Sequence, residues 1–563
     1  MDIVESYVSG ATDVPLIETT IGTCFDQIVA RWPEREALVV CHQNVRWSYR
    51  EFAEKVDTLA ANFLRLGLRP GDRVGIWSPN SSEWVLTQFA TAKAGLLMVN
   101  INPAYRRHEL EYVLNKVACA ALVMAPSFKS SDYLDILRSL APELDVCPAG
   151  LLAASRLPHL KHVIRLGAEP SAGMHNFDSL LLPPAAADLA ELAVIARTLT
   201  ANDAINIQFT SGTTGSPKGA TLTHRNILNN GFFVGEAMRL SEHDRLCIPV
   251  PLYHCFGMVL GNLACLTHGS AMIFPGEGFD PESVLRAVQS ERCTALHGVP
   301  TMFIGLLDFP AFASFDLGSL RTGIMAGSPC PIEIMKRVLN EMHMEQVTIA
   351  YGMTETSPVS FQSSCNDPVE RRVSTVGRIQ PHVECKIVDS DGNTVACGEK
   401  GELLVRGYSI MHGYWGDPER TAEAVDGDGW MHTGDLGAID AEGYCNIVGR
   451  AKDMVIRGGE NIYPREVEEF LYAHPKVQDV QCVGVPDLRY GEELCACIVL
   501  HPGVSATESE IRKFCEGEIA HYKIPRYVRF YEILPMTVTG KIQKYLLRQR
   551  VTEELGLREQ ATA

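Results

Sequence analysis

The sequence predicts a layered α/β protein in two parts: a large N-terminal domain of α/β subdomains and a small C-terminal α+β domain. Three observations predict it. Short apolar runs alternate with helix-length stretches over the first three-quarters of the chain, the pattern of helices covering largely parallel sheets. At 563 residues the chain exceeds what one hydrophobic core organises. Composition then changes near residue 450, just after G-R-A-K-D.

In chain order, residues 36–41 (E-A-L-V-V-C) and 73–78 (R-V-G-I-W-S) read as strands. Residues 84–93 read as an amphipathic helix, 96–100 as a strand and 108–117 as a helix. From about 127 to 198 the chain turns Ala/Pro-rich and less periodic, which predicts surface helices and loops. The apolar stretch 246–274 is interrupted by Pro249, Pro251, His254, Asn262 and His268. No run in it reaches the ~18–20 apolar residues a spanning helix needs, so it reads as a buried α/β segment. After residue 450 come a helix at 464–473, strands near 478–485 and 493–500, a helix at 508–519 and a closing strand at 527–533. That is enough for a compact domain. The division is therefore 1–450 and 451–563, with the boundary at Arg450–Lys452.

Net charge is −18 with no long Lys/Arg run, which argues against nucleic acid and anionic membrane surfaces as partners. Any phosphate site must then be built locally. Seventeen cysteines occur without a C-x-x-C pair or zinc spacing, as expected for buried free thiols in a reducing compartment. Cys495 and Cys497, spaced C-x-C, would share one face of a strand. The first basic residue is Arg31, so neither a signal nor a transit peptide is recognisable and a cytoplasmic location is expected.

The most informative segment is 205–219, I-N-I-Q-F-T-S-G-T-T-G-S-P-K-G. An apolar strand feeds a loop with hydroxyls at Thr210, Ser211, Thr213 and Thr214, glycines at Gly212 and Gly215, and Lys218. Glycines allow close backbone approach, successive N–H groups form an anion-binding nest, and a lysine supplies charge. The Walker A order is absent. A Gly/Ser/Thr-rich stretch alone is commonly a flexible loop. The strand before it and a helix opening at 223–226 favour phosphate binding.

The segment T-S-G-T-T-G-S-P-K-G resembles the signature of the adenylate-forming superfamily of acyl-CoA synthetases, luciferases and peptide-synthetase adenylation domains. So, in family order, do Y-G-M-T-E-T (351–356), G-E-L-L-V-R-G (401–407), W-M-H-T-G-D (430–435), G-R-A-K-D-M-V-I-R-G-G-E-N-I-Y-P (449–464) and T-G-K-I-Q-K (539–544). The resemblance covers about residues 20–550. It implies ATP, Mg²⁺ and coenzyme A as cofactors and co-substrates. It also implies that Tyr351, with Gly352, stacks on adenine, while Gly327 and Ser328 line the adenine side. Thr354 would bond the α-phosphate, and Glu355 and Thr210 would ligate Mg²⁺. Asp435 would bind ribose, with Arg450 reaching the ribose or phosphate. Lys541 would be the mobile catalytic lysine that bridges carboxylate and α-phosphate. Lys452 would be the hinge, and Gly458 and Gly459 would let pantetheine approach. His254 matches a position near the acyl and pantetheine channels, with two readings open: a catalytic base, or a gating and packing residue. Cys255 reads as a core thiol.

Among subgroups, P-L-Y-H-C-F-G-M-V, H-G-V-P-T-M-F and A-G-S-P-C-P resemble medium-chain fatty-acyl-CoA synthetases. The acyl pocket is expected from 254–261 and 297–303, with Gly257 and Gly298 leaving room for a chain. Alternatives are an aryl-acid CoA ligase, a fatty-acyl-AMP ligase or adenylation domain, and a non-catalytic nucleotide- or acyl-binding protein. The expected partners are a small carboxylic acid, ATP and CoA, with no nucleic acid and no transmembrane segment. The expected assembly is a homodimer.

Overall fold

Apolar strands and well-capped helices build two large sheets in a computed structural model, which describes residues 4–210, 217–328, 330–457, 460–487, 489–537, 540 and 542–557. The first sheet runs His175–Asn176, His162–Arg165, Ala121–Met124, Arg73–Trp77, Leu97–Asn100, Ala204–Thr210, Lys218–Thr223 and Gly413–Tyr414. It is parallel as far as Ala204–Thr210 and antiparallel beyond. The second has nine strands, and its parallel centre comprises Gln346–Gly352, Thr322–Ala326, Ala295–Gly298, Arg245–Cys247, Ala271–Phe274 and Glu36–Val40. Both are α/β sheets of the expected kind.

Local sequence explains the helices between them. Ser48 and Glu51 form a reciprocal capping box at the start of Tyr49–Arg65. Ser81 caps Ser82–Ala94, and Gly95, at φ 69°, ends it. That helix departs from its amphipathic reading: every residue except Glu83 is buried. Helices Ile21–Arg31 and Tyr49–Arg65 and the sheet surround it, so its Thr and Gln side chains must bond inside the core.

Two further differences are informative. The Ala/Pro-rich stretch contributes more than surface: His162–Arg165 joins the first sheet, with Val163 and Ile164 fully buried. A four-residue strand is too short to show a period. Four strands within 383–450 join Tyr7–Ser9 in an antiparallel sheet that the alternation of helix and strand did not announce, in the order Tyr7–Ser9, Val383–Val388, Gly401–Gly407, Met431–Ile439 and Cys445–Arg450. The stretch 246–274 is a buried α/β segment as expected. It holds Arg245–Cys247, a short turn of helix Cys255–Gly257, a π-helix Met258–Leu263, the helix Ala264–His268 and Ala271–Phe274. Among the described residues no helix is long and apolar enough to cross a membrane.

Sheet membership changes after Arg450. Val455–Arg457, Glu460–Ile462, Gly491–Leu500, Val477–Asp487 and Tyr527–Phe530 make a separate sheet. Helices Pro464–Tyr472, Glu508–Cys515 and Lys544–Glu554 accompany it. Cys495 and Cys497 share a face against Leu534, Leu547 and Val551, and all seventeen cysteines are free thiols. Arg465 Nη1 donates to the Ile447 carbonyl at 2.7 Å, and Gln478 Nε2 reaches Asp308 at 3.3 Å. These bonds tie the C-terminal sheet to the larger part of the chain.

Candidate active site

The phosphate-loop candidate lies between two antiparallel strands, Ala204–Thr210 and Lys218–Thr223, with Thr210 opposite Lys218. These two strands pair as a hairpin, and the helix at His224 begins only after the second of them, capped by Thr223 and Asn226 in reciprocal bonds of 3.1 and 2.8 Å. Ser211, Gly212, Thr213, Thr214 and Gly215 lie outside the described residues, as do Gly458, Gly459 and Lys541.

Across from the hairpin, the strand Gln346–Gly352 runs into a 3₁₀ turn at Thr354–Thr356. Gly352 is required there: a Cβ would stand 1.7 Å from the Pro358 carbonyl oxygen, where the chain folds back over it. The turn delivers Thr354 and Glu355, both buried, toward the hairpin. Thr210 Oγ1 donates to Glu355 Oε1 at 3.3 Å, and Tyr414 OH donates to the same oxygen at 2.8 Å. Lys218 Nζ sits over the Tyr414 ring, 4.5 Å from its centre.

One strand position earlier, Tyr351 OH donates to Asp435 Oδ2 at 2.6 Å. Asp435 is paired in register with Arg450, whose Nε lies 3.1 Å from Asp435 Oδ1. Burial would lower the Arg450 pKa, but Asp435, Asp453, Tyr351 and Glu355 outweigh it and the value rises. The guanidinium stays charged. Burial and Asp435 together push the Tyr351 hydroxyl well up, so it remains a donor. Gly327, at φ 93°, is exposed and Ser328 half-buried at the end of the neighbouring strand Thr322–Ala326.

His254 Nδ1 accepts from the Phe256 N–H at 3.3 Å, capping the following turn. A neutral imidazole accepting at Nδ1 carries its proton on Nε2. Cys255 donates to Gln208 Oε1 at 3.1 Å, and burial with Glu355 nearby raises its thiol pKa, so it is an inert core thiol. The exposed Lys452 lies in the turn Ala451–Asp453, between the strand Cys445–Arg450 of the antiparallel sheet and Val455–Arg457 of the C-terminal sheet.

The expected acyl wall needs one correction. A Cβ at Gly257 would meet the Pro251 carbonyl oxygen at 2.5 Å, and one at Gly298 the Phe303 ring at 2.9 Å. These glycines admit the protein's own backbone and ring, so they do not leave room for a chain. The same wall receives the C-terminal part: Thr301 Oγ1 donates to the Gly540 carbonyl at 3.4 Å. Gly540, at φ 77°, lies so close that a Cβ would be 2.8 Å from Thr301 Oγ1 and 2.9 Å from Val299 Cγ2. A Cβ at Gly327 would meet the other methyl of Val299 at 3.1 Å. Val299 therefore lies between the adenine-side candidates and the turn that precedes Lys541.

Sequence reading missed Tyr414, Gln208 and Thr301. The only signal for Tyr414 is its place in G-Y-W-G-D-P, one motif beyond G-E-L-L-V-R-G; its pairing with a strand some 190 residues earlier leaves no local trace.

The sequence profile of the AMP-binding enzyme family matches residues 25–415, and that of the AMP-binding enzyme C-terminal domain matches residues 466–541. This chain belongs to the AMP-binding enzyme family. It is 47% identical over 558 residues to the mitochondrial medium-chain acyl-CoA ligase ACSF2 of Mus musculus, covering 98% of this chain and 91% of that protein. Among solved structures it resembles the anthranilate CoA ligase AuaEII bound to anthranoyl-AMP, with a TM-score of 0.85 at 26% identity over 97% of this chain and 99% of that one. ATP-bound MatB from Rhodopseudomonas palustris gives a TM-score of 0.78 at 28% identity, over 95% and 99% of the two chains.

Proposed function

We propose that the chain is an ATP-dependent acyl-CoA synthetase acting on medium-chain fatty acids. The observation that carries this reading is the segment Tyr351–Glu355. At one end it meets the Asp435–Arg450 pair, suited to ribose hydroxyls; at the other it meets Thr210 of the hairpin and Tyr414, whose ring carries the Lys218 ammonium. One nucleotide bound along that segment would have its sugar at the first acid and its phosphates at the second. The mouse relative's name supports the choice of acid.

In the first half-reaction a carboxylate oxygen attacks the α-phosphorus, and the bond to the β-phosphate oxygen breaks, releasing pyrophosphate. Thr354 donates to the α-phosphate, and Lys218 neutralises phosphate charge. Lys541, following the Gly540 turn seated on Thr301, brings an ammonium to the carboxylate as charge develops. In the second half-reaction the coenzyme A thiolate attacks the acyl carbon, and the bond to the AMP oxygen breaks with AMP keeping the electron pair. Lys452 acts as the hinge between the two states, and Gly458 and Gly459 line the pantetheine approach. His254 closes the acyl channel.

The donor set fits Mg²⁺. Thr210 and Glu355, whose hard oxygens stand 3.3 Å apart, would hold it. Mg²⁺ held there supplies neutralising charge to the phosphate oxygens.

The test measures pyrophosphate and thioester with MgATP, coenzyme A and acids from acetate to palmitate plus benzoate, in wild type and Lys541→Ala. Thioester peaking at medium chain length, with adenylate formation slowed at least ~100-fold in the variant, is the expected result. Pyrophosphate without thioester would refute the synthetase reading. A benzoate optimum would move the acid to the aryl class, the reading the AuaEII likeness favours.

A further inference from the structure

The residues 411–415 form a strap across the phosphate end of the site. Met411 N–H donates to the Glu355 carbonyl, His412 N–H to Thr221 and Trp415 N–H to Gly219, at 2.9, 2.9 and 2.7 Å. The two-residue strand Gly413–Tyr414 pairs with the second hairpin strand, Tyr414 opposite Ala220. Its own backbone is fixed in turn, Tyr414 N–H donating to Thr421 Oγ1 at 2.9 Å. The strap therefore holds the hairpin and the Glu355 turn in one rigid piece, and Tyr414 is its buried side chain facing both.

We propose that Tyr414 is a positioning residue for the metal and phosphate groups: its hydroxyl orients the Glu355 carboxylate, and its ring holds the Lys218 ammonium beside it. The proposal rests on the reading of Glu355 as a cation ligand. Both hydroxyl donors to Glu355, from Thr210 and Tyr414, fall on Oε1, which sets the rotation of the carboxylate about its last bond. The Tyr414 bond is the shorter of the two, and it comes from a side chain with no freedom to turn away, since the ring is buried and the backbone is bonded on both sides. The face of the same ring carries the ammonium at 4.5 Å, well inside cation–π range. One aromatic side chain thus fixes an anion by its edge and a cation by its face. The two charges that must meet a magnesium triphosphate are spaced before it arrives. An orienting hydrogen bond behind a metal ligand typically contributes 10–100-fold in metal affinity.

Manganese separates this from a packing role, because its paramagnetic signal reports binding directly. Mn²⁺ is titrated by electron paramagnetic resonance into the full-length protein with α,β-methylene-ATP, for wild type, Tyr414→Phe, Tyr414→Leu and Glu355→Gln. Thermal midpoints without nucleotide report folding. Tyr414→Phe keeps the ring and should weaken Mn²⁺ binding roughly tenfold while leaving metal-free nucleotide affinity and the midpoint unchanged. Tyr414→Leu should in addition weaken metal-free nucleotide binding about two- to fivefold. If Tyr414→Phe matches wild type while Glu355→Gln loses Mn²⁺, the proposal falls and the reading of Glu355 stands. If Glu355→Gln also keeps full Mn²⁺ affinity, both fall. A Tyr414→Phe variant that lowers the midpoint and weakens metal-dependent and metal-free binding equally is a packing defect and overturns the proposal.

Discussion

His224 and His297 are both completely buried, and each makes one hydrogen bond in the fold. His224 Nδ1 accepts from the Ile21 N–H at 3.1 Å, and His297 Nε2 donates to the Leu260 carbonyl at 2.9 Å. Burial pushes each pKa down from 6.5 to about 4. Between those values the unfolded chain binds protons that the folded one refuses, so stability rises with pH and is lost as pH falls below 6.5. At pH 5 the penalty is about 2 kcal/mol per histidine. Urea unfolding at pH 7 and pH 5 should therefore show a drop. His297→Gln, which cannot titrate, should shrink that drop by about 2 kcal/mol. An unchanged drop in the variant would mean His297 is already charged in the fold. The sequence marks neither pairing: His297 enters it only as the start of the expected acyl-pocket segment 297–303, and a lone histidine carries no mark of its partner.

At the scale of elements, the π-helix Met258–Leu263 interrupts the regular helical ladder, and side chains from other elements bond two of its carbonyls. Gln88 Nε2 donates to Met258 O at 3.2 Å while Gln88 Oε1 accepts from Asn262 Nδ2 at 2.7 Å; His297 holds Leu260 O. Gln88→Leu would leave the buried Asn262 amide without its partner and take one donor from the Met258 carbonyl, costing about 1–3 kcal/mol. A denaturation midpoint within ~0.5 kcal/mol of wild type would show the bonds to be dispensable. The same helix shows what the sequence could and could not tell. Strands 36–41, 73–78 and 96–100 were legible because continuous β-branched and aliphatic runs mark buried parallel strands, and they fall at Glu36–Val40, Arg73–Trp77 and Leu97–Asn100. Helix Ser82–Ala94 was legible as a helix but not as a buried one. Its polar residues look like a solvent face until Gln88 is seen bonded to a segment 170 residues away. In the site, motifs brought out Thr210, Glu355, Asp435 and Arg450, whose chemistry is local. Tyr414 and Thr301 work only through pairings of distant segments, and composition does not encode those.

At the scale of the whole molecule, the C-terminal part meets the site through the backbone of Gly540, whose left-handed conformation and contact with Val299 and Thr301 leave no space for a side chain. Gly540→Ala separates two costs. The left-handed conformation costs about 1–2 kcal/mol wherever the domain sits. The Cβ contacts, at 2.8 Å to Thr301 Oγ1 and 2.9 Å to Val299 Cγ2, arise only while the turn is seated on the wall. If adenylate formation uses this seating and thioester formation uses another orientation, the variant should impair the two half-reactions unequally. ATP–pyrophosphate exchange should fall about tenfold, equivalent to about 1.4 kcal/mol of lost docking. Thioester formation from supplied acyl-adenylate should stay within about twofold of wild type. Thr301→Ala in the same background removes the closer of the two contacts and should return part of the lost exchange rate. Equal slowing of both half-reactions, unrelieved by Thr301→Ala, would place the defect inside the turn itself. The seating on Val299 would then not be the adenylation state.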